Sequence, residues 1–307
     1  MRRKVIVVLF ALLLLGGILT VVWTAFDWPP PRFVLRYGLP PAGRSTGRTM
    51  RVEGIAFTEL SAGYFKAGSS RPSPSILTLL RSLLAQPEKT RRIRPDGWPP
   101  VWREIPYSFW ISTTEITNSQ IEFWRPERKR DPLSPGDSHP SVMLSFEDSR
   151  AYCRWLSSKS KLSIRLPTED EWEYACRART ETSWSFGNDE QRLDEHAWYL
   201  KNSGGRAHAV ATKAPNEWGL FDMHGNVFEW CYALRTDAGT YKIEPTTGHT
   251  VESEAWPVAR GGGWGIRGTY CTSSVRDDSP PRLSPCVGLR LVLLSPGSPD
   301  LQTVHGD

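Results

Sequence analysis

The stretch APNEWGLFDMHGNVFEWC, residues 214–231, has neither the 3.6-residue period of a surface helix nor the alternation of a half-buried strand. Its large apolar side chains, among them Trp218, Phe221, Met223, Phe228 and Trp230, are set between Pro215, Gly219 and Gly225, the residue types that bend a chain. Such text predicts irregular backbone folded around big rings. The same character holds from Thr180 onward, where short aromatic pieces alternate with Gly, Asn and Pro. Of the 14 tryptophans in the chain, 12 lie between Trp98 and Trp264, so the core is expected to be filled by rings and not by aliphatic layers. Within the stretch, GNVFE offers the Asn226 amide, the Glu229 carboxylate and the intervening carbonyls within one turn, oxygen donors of the kind a hard cation takes. The plain alternative is that the two side chains tie down a loop or pair with an arginine such as Arg260.

Upstream, regular structure becomes legible. Three helix starts carry a hydroxyl followed three residues later by an acid or amide, a pairing that satisfies backbone N–H groups left over at a helix N-terminus: Thr117 with Gln120, Ser145 with Asp148 and Thr168 with Glu171. The second helix places Tyr152, Trp155 and Leu156 on one side and the third does so with Trp172 and Ala175, which assigns those faces to the core. Before them, Ile105, Tyr107, Phe109 and Ile111 alternate with Glu104, Pro106, Ser108 and Trp110 as one strand with a buried face. Another strand begins near Ile55. Downstream, GLRLVLL from Gly288 to Leu294 reads as a final buried strand, followed by a tail over 295–307. Residues 71–102 read as an insertion, with an amphipathic patch at Ile76, Leu79, Leu80, Leu83 and Leu84.

The chain has 307 residues, 23% charged and 39% hydrophobic, which excludes wholesale disorder, collagen-like repeats and a polytopic membrane protein. The formal charge of +5 is spread thinly, and its densest run, Lys89, Arg91, Arg92 and Arg94, lacks interleaved aromatics, so no nucleic-acid partner is expected. Val5 to Trp23 is a 19-residue stretch whose single polar member is Thr20, close to the ~20 residues a spanning helix needs. Arg2, Arg3 and Lys4 precede it, which orients the N-terminus to the cytoplasm and the remainder outside. A cleavable signal needs small residues ahead of the cut, and the stretch Val21 to Ala25 matches this poorly, so an uncleaved single-pass anchor is expected, with the membrane as one partner. The resulting division is 1–28 basic tip and anchor, 29–51 linker, 52–294 folded domain and 295–307 tail. Five cysteines, Cys153, Cys176, Cys231, Cys271 and Cys286, then face an oxidising compartment; an odd count leaves at least one unpaired, one or two bridges plus buried thiols are expected, and no CxxC spacing supports a zinc ribbon or a thioredoxin-like site.

Four segments, in order, resemble the formylglycine-generating enzyme family, also called the sulfatase-modifying factor family. TTEITNSQIEFW, residues 113–124, is similar to its E-V-T-N helix entry. HPSVMLSFEDSRAYCRWLSSKSKLSIRLPTEDEWEYACRA, residues 139–178, resembles its H-P-V, A-Y-C-x-W-L and R-L-P-T-E-x-E-W-E-Y-A elements. The 214–231 stretch resembles its P-N-x-x-G-L-Y-D-M-x-G-N-V-W-E-W run. ARGGGWGIRGTYC, ending at Cys271, with Arg276 and the terminal GLRLV, resembles R-G-G-S-W and G-F-R-L-V, with Gly263 for Ser and Leu289 for Phe. The resemblance implies one α+β domain with a C-type-lectin-like fold and little regular secondary structure.

It also implies a chemistry to be checked. Members that generate formylglycine hold copper(I) between two cysteines after R-G-G and oxidise a substrate cysteine with oxygen; a soft ion in a low-coordinate site needs two converging thiolates. Counting from Arg260, the first position is Ile266 and the second Cys271, so one thiolate is replaced and copper is not expected. Counting back from Arg276, Cys271 instead matches the family's structural cysteine, whose partner corresponds to Cys176. By the same resemblance Asn226 and Glu229 match calcium-binding positions, and Asn202 matches an Asn of a second calcium site, giving calcium as the expected structural ion. A branch that joins sulfur to histidine derivatives uses non-heme iron, but the six histidines here show no HxxxH or HxE spacing. No GxSxG elbow, HExxH helix or P-loop is present. The expectation is therefore an extracytoplasmic domain that binds a protein or peptide partner or modifies one by other chemistry. The alternatives are an active oxidoreductase working through Cys271 and a ligand-display protein whose variable face runs from Trp264 to Pro285.

Overall fold

The computed structural model describes residues 43–68, 93–95, 100–234, 255–277 and 283–294. The expected anchor, the Ile76–Leu84 patch and the tail lie outside them, and among the described residues no helix is long and apolar enough to cross a membrane. All three capping boxes form. They open α1 (Asn118–Glu122), α2 (Phe146–Ser160) and α3 (Glu169–Arg177), with the cap hydroxyl accepting from the third helical N–H and that residue's side chain accepting from the cap N–H. Left-handed residues, Lys161 and Ala178, terminate α2 and α3. A short α4 (Leu193–His196) follows in the irregular half.

The strands are β1 (Ser45–Val52), β2 (Ile55–Leu60), β3 (Gly63–Ala67), β4 (Ile93–Pro95), β5 (Val101–Ile105), β6 (Phe109–Ser112), β7 (Ile164–Arg165), β8 (Phe228–Leu234), β9 (Ala255–Arg260), β10 (Val275–Asp277), β11 (Val287–Gly288) and β12 (Val292–Leu294). One five-stranded sheet has the order β1-β2-β6-β12-β7, a second β11-β8-β9-β10-β4, and β3 pairs with β5 alone. The result is a mixed α and β fold of low helix content. β1 occupies the last part of the stretch read as a linker, and β4 and the start of β5 fall within the stretch read as an insertion.

Two sequence expectations are corrected. The alternating run around Ile105 to Ile111 is two strands in different sheets, because Pro106 to Ser108 turn the chain; Ile105, Tyr107, Phe109 and Ile111 are all buried, but so is Trp110. GLRLVLL is likewise broken. β11 pairs in parallel with β8 and β12 antiparallel with β6, and between them Leu291 N–H bonds the Ser112 hydroxyl while the Arg290 side chain turns into the core.

The rings do fill the interior, with Trp172, Trp184 and Trp230 among its largest buried side chains. Tyr152 and Leu156 of α2 join Trp230 and the terminal leucines in one cluster, and Trp172 and Ala175 of α3 join Phe109 and Trp218 in another. α3 differs from the amphipathic helix its sequence suggests, since all nine of its residues are buried. Its four acids survive burial through ion pairs: Glu169 with Arg276, Asp170 with Arg103, Glu171 with Arg165, and Glu173 with both Arg177 and Arg260. Burial pushes the Glu171 and Glu173 carboxyls up, yet the guanidiniums beside them hold both below the ordinary carboxylate range.

Candidate functional site

The site grows from the end of β9. Arg260, fully buried, donates to Glu173 at 2.6 Å and to the Ser273 carbonyl at 3.1 Å, which anchors the chain where it enters Gly261, Gly262 and Gly263. Gly262 has φ +82°, and a Cβ there would stand 2.5 Å from Cys271 Sγ, so the glycine makes room for the thiol. At Gly263 a Cβ would find nothing nearer than 3.5 Å; the absence of serine there has no steric cause in this fold. The chain continues through Ile266, half-buried and packed against two apolar clusters, to a 3₁₀ turn at Gly268–Tyr270 and then Cys271.

Cys271 is fully buried among Trp184, Leu193, Ala197 and Tyr199. Its thiol donates weakly to the Arg267 carbonyl, 3.8 Å away, and burial pushes it up to about 12. Cys176 is equally buried and pushed up to about 12 for the same reason. Between them stands His224: its Nδ1 lies 2.9 Å from the Cys271 carbonyl, and its Nε2 lies 3.1 Å from Ser185 N–H, 3.0 Å from Ser185 Oγ and 3.8 Å from Cys176 Sγ. Ser185 N–H donates to Nε2, so the proton sits on Nδ1 and points to the Cys271 carbonyl. Burial pulls this histidine down to about 3, so it is neutral and braces the loops. All five cysteines are unpaired, and the Cys176–Cys271 bridge that the resemblance implied is not formed. Cys286 is half-buried, and its N–H donates to the Ser284 hydroxyl at 3.1 Å.

Against the 3₁₀ turn opens a cleft of about 770 Å³ whose walls include Asp189, Glu190, Tyr199, Leu200, Lys201 and Arg267. Its two sides are stitched together by Leu200 N–H donating to the Ile266 carbonyl at 3.0 Å. Cys271, which follows the turn and packs with Tyr199 of the cleft wall, has no exposed surface.

The expected ion-binding residues are arranged otherwise. Both Glu229 oxygens accept from Arg290, at 2.8 to 3.1 Å, and one also accepts from Trp172 Nε1 at 2.6 Å. Arg260, which faces Glu229 across β8 and β9, goes instead to Glu173. Asn226 Oδ1 accepts from His208 N–H at 2.9 Å, and its Nδ2 donates to Glu115 Oε2 at 2.6 Å. Asn202 Oδ1 accepts from Tyr199 N–H at 2.9 Å, bracing a local turn. Glu229, with a guanidinium where a cation would sit, does not fit calcium, and the Asn226 and Asn202 oxygens are already held by N–H donors. Among the described residues no cluster of three His, Cys, Asp or Glu side chains suits a metal ion. Sequence reasoning missed Glu115 and Arg290; the acid inside TTEITN and the arginine inside GLRLV were the available signals. It also passed over Asp222, whose buried Oδ1 has no hydrogen-bond partner among the described residues and whose carboxyl is pushed up to about 6 by burial.

The sequence-family model described as the sulfatase-modifying factor enzyme 1-like domain matches residues 60–294. The chain belongs to that family. Relatives in it carry opposite names. An "Inactive C-alpha-formylglycine-generating enzyme 2" of Bos taurus is 31% identical over 44% of this chain and 49% of its own length. A "Formylglycine-generating enzyme" of Streptomyces coelicolor is 33% identical over 48% of this chain and 49% of its own. The chain thus spans about half the length of these relatives. Among solved structures, "Treponema denticola variable protein 1" has the same fold, with a TM-score of 0.61 at 23% identity over 83% of this chain and all of that one. In this member of the sulfatase-modifying factor family the first position that the resemblance gives to copper is Ile266, and the second, Cys271, is a fully buried thiol pushed up to about 12.

Proposed function

We propose that this domain binds a protein or peptide partner outside the cytoplasm and does not carry copper-dependent oxidation of cysteine to formylglycine. The observation that supports it is Ile266 packed into apolar clusters beside a Cys271 thiol with no exposed surface. Thiolate, not thiol, is the soft ligand, and two are required. The N-terminal apolar run, Val5 to Trp23, serves as the membrane anchor that presents the domain, and the fold is taken to be of the C-type lectin kind. Incubating the full chain with a sulfatase-motif peptide, copper and oxygen should leave the peptide mass unchanged. An aldehyde product that disappears with Cys271→Ser defeats this reading and establishes the oxidoreductase.

The second reading is ligand display by the segment Trp264 to Pro285, favoured by the fold shared with a protein titled as variable. A reverse transcriptase and a template repeat beside the gene are its signature, and their absence removes it.

A further inference from the structure

We infer that the cleft beside the Gly268–Tyr270 turn takes a partner peptide segment that brings a basic, an apolar and an acidic residue close together. This rests on the partner-binding reading and names the chemistry of that partner. The cleft joins chain segments far apart in sequence, a rigid arrangement because Gly268 packs where no Cβ fits, with Leu193 Cδ2 at 2.5 Å and Glu190 Oε1 and Tyr199 at 3.3 Å from the position a Cβ would take. Most charges around it are already matched. Asp194 accepts from Lys201 Nζ at 2.8 Å and from the Tyr199 hydroxyl at 2.7 Å, and Arg192 pairs with Glu195 at 3.4 Å. The Asp189 carboxylate caps the Gln191 N–H at 3.0 Å.

Two charges are left over. Glu190 and Arg267, both exposed and both lining the cleft, have no ion pair and no side-chain hydrogen bond among the described residues. They flank the same turn, the Glu190 carboxylate against Gly268 and Arg267 immediately before it, without closing on each other. Opposite charges that line one cleft without pairing present one site for a cation and one for a carboxylate. Leu200, which lines the same cleft, shows 55% of its surface, an exposed large apolar side chain where a partner's own apolar residue can be covered. Water screens such contacts, so each charge is expected to change affinity about two- to fivefold and to do so less at high salt.

The test is fluorescence anisotropy on the full chain with a labelled, blocked pentapeptide of the order glycine, arginine, leucine, aspartate, glycine. A neutral version with glutamine and asparagine completes the set. The native chain should prefer the first peptide over the neutral one by about four- to twentyfold at low salt, since two charges contribute. Glu190→Gln and Arg267→Gln should each lose about two- to fivefold of that preference. The double variant should lose all of it. Both positions are exposed, so the variants should fold, and circular dichroism checks it. No binding, or binding indifferent to charge, overturns the assignment of the cleft. That failure is distinct from failure of the binding reading, which only formation of the aldehyde product defeats.

Discussion

Replacing Arg290 by Met should destabilise the domain by about 3–5 kcal/mol, the cost of leaving one partner of a buried ion pair without the other. The structure explains why the upper half of that range is expected. Both Arg290 and Glu229 are fully buried, and the guanidinium also donates to the Ser112 carbonyl at 2.7 Å and the Phe221 carbonyl at 2.7 Å, linking the break after β11 to β6 and to the 214–231 stretch. A loss of about 4–5 kcal/mol corresponds to a fall in melting temperature of about 8–20 °C for a domain of this size, at about 2–4 °C per kcal/mol. Urea unfolding of native, Arg290→Met, Glu229→Gln and the double variant closes the cycle, with the double variant expected to recover part of the loss because no charge is left uncompensated. A chelator should leave the native melting temperature unchanged, because Arg290 occupies the position a cation would need. A cost below about 1 kcal/mol for Arg290→Met, or a melting temperature that falls with chelator and returns with calcium, refutes the ion-pair account of Glu229.

Two further outcomes follow from the buried groups. Asp222 is raised from its ordinary value to about 6 by burial, so the folded state prefers its protonated form; the associated stability is full below the unfolded carboxylate range and is lost as pH rises through about 6. Asp222→Asn should therefore gain stability relative to the native chain at pH 7 but not at pH 4, as read by urea midpoints; equal differences at both pH values contradict it. Thiol labelling should find five free thiols after unfolding without reductant, and at most Cys286 accessible before it, since the other four cysteines are buried. Fewer than five would mean that a disulfide exists.

The helices were legible because their signals are local: a cap hydroxyl and its partner three residues on make the same hydrogen bonds in any fold. The motif order carried the family and hence the architecture. The strand boundaries were less legible, since a hydrophobic run such as GLRLVLL looks the same whether or not Arg290 leaves it for the core.

What the sequence determined by itself was helix starts, a ring-filled interior, the missing thiolate at Ile266 and membership in a family. Tertiary structure decided what the charged residues do. Glu229 finds Arg290 across 61 positions and Asn226 finds Glu115 across 111, which turned an expected ion site into a hydrogen-bonded brace. The cleft likewise exists because the 189–201 and 267–269 segments meet. Such pairings are selected by burial, which forces each charge to find its partner among all groups the fold brings near, and no local pattern records which one that will be.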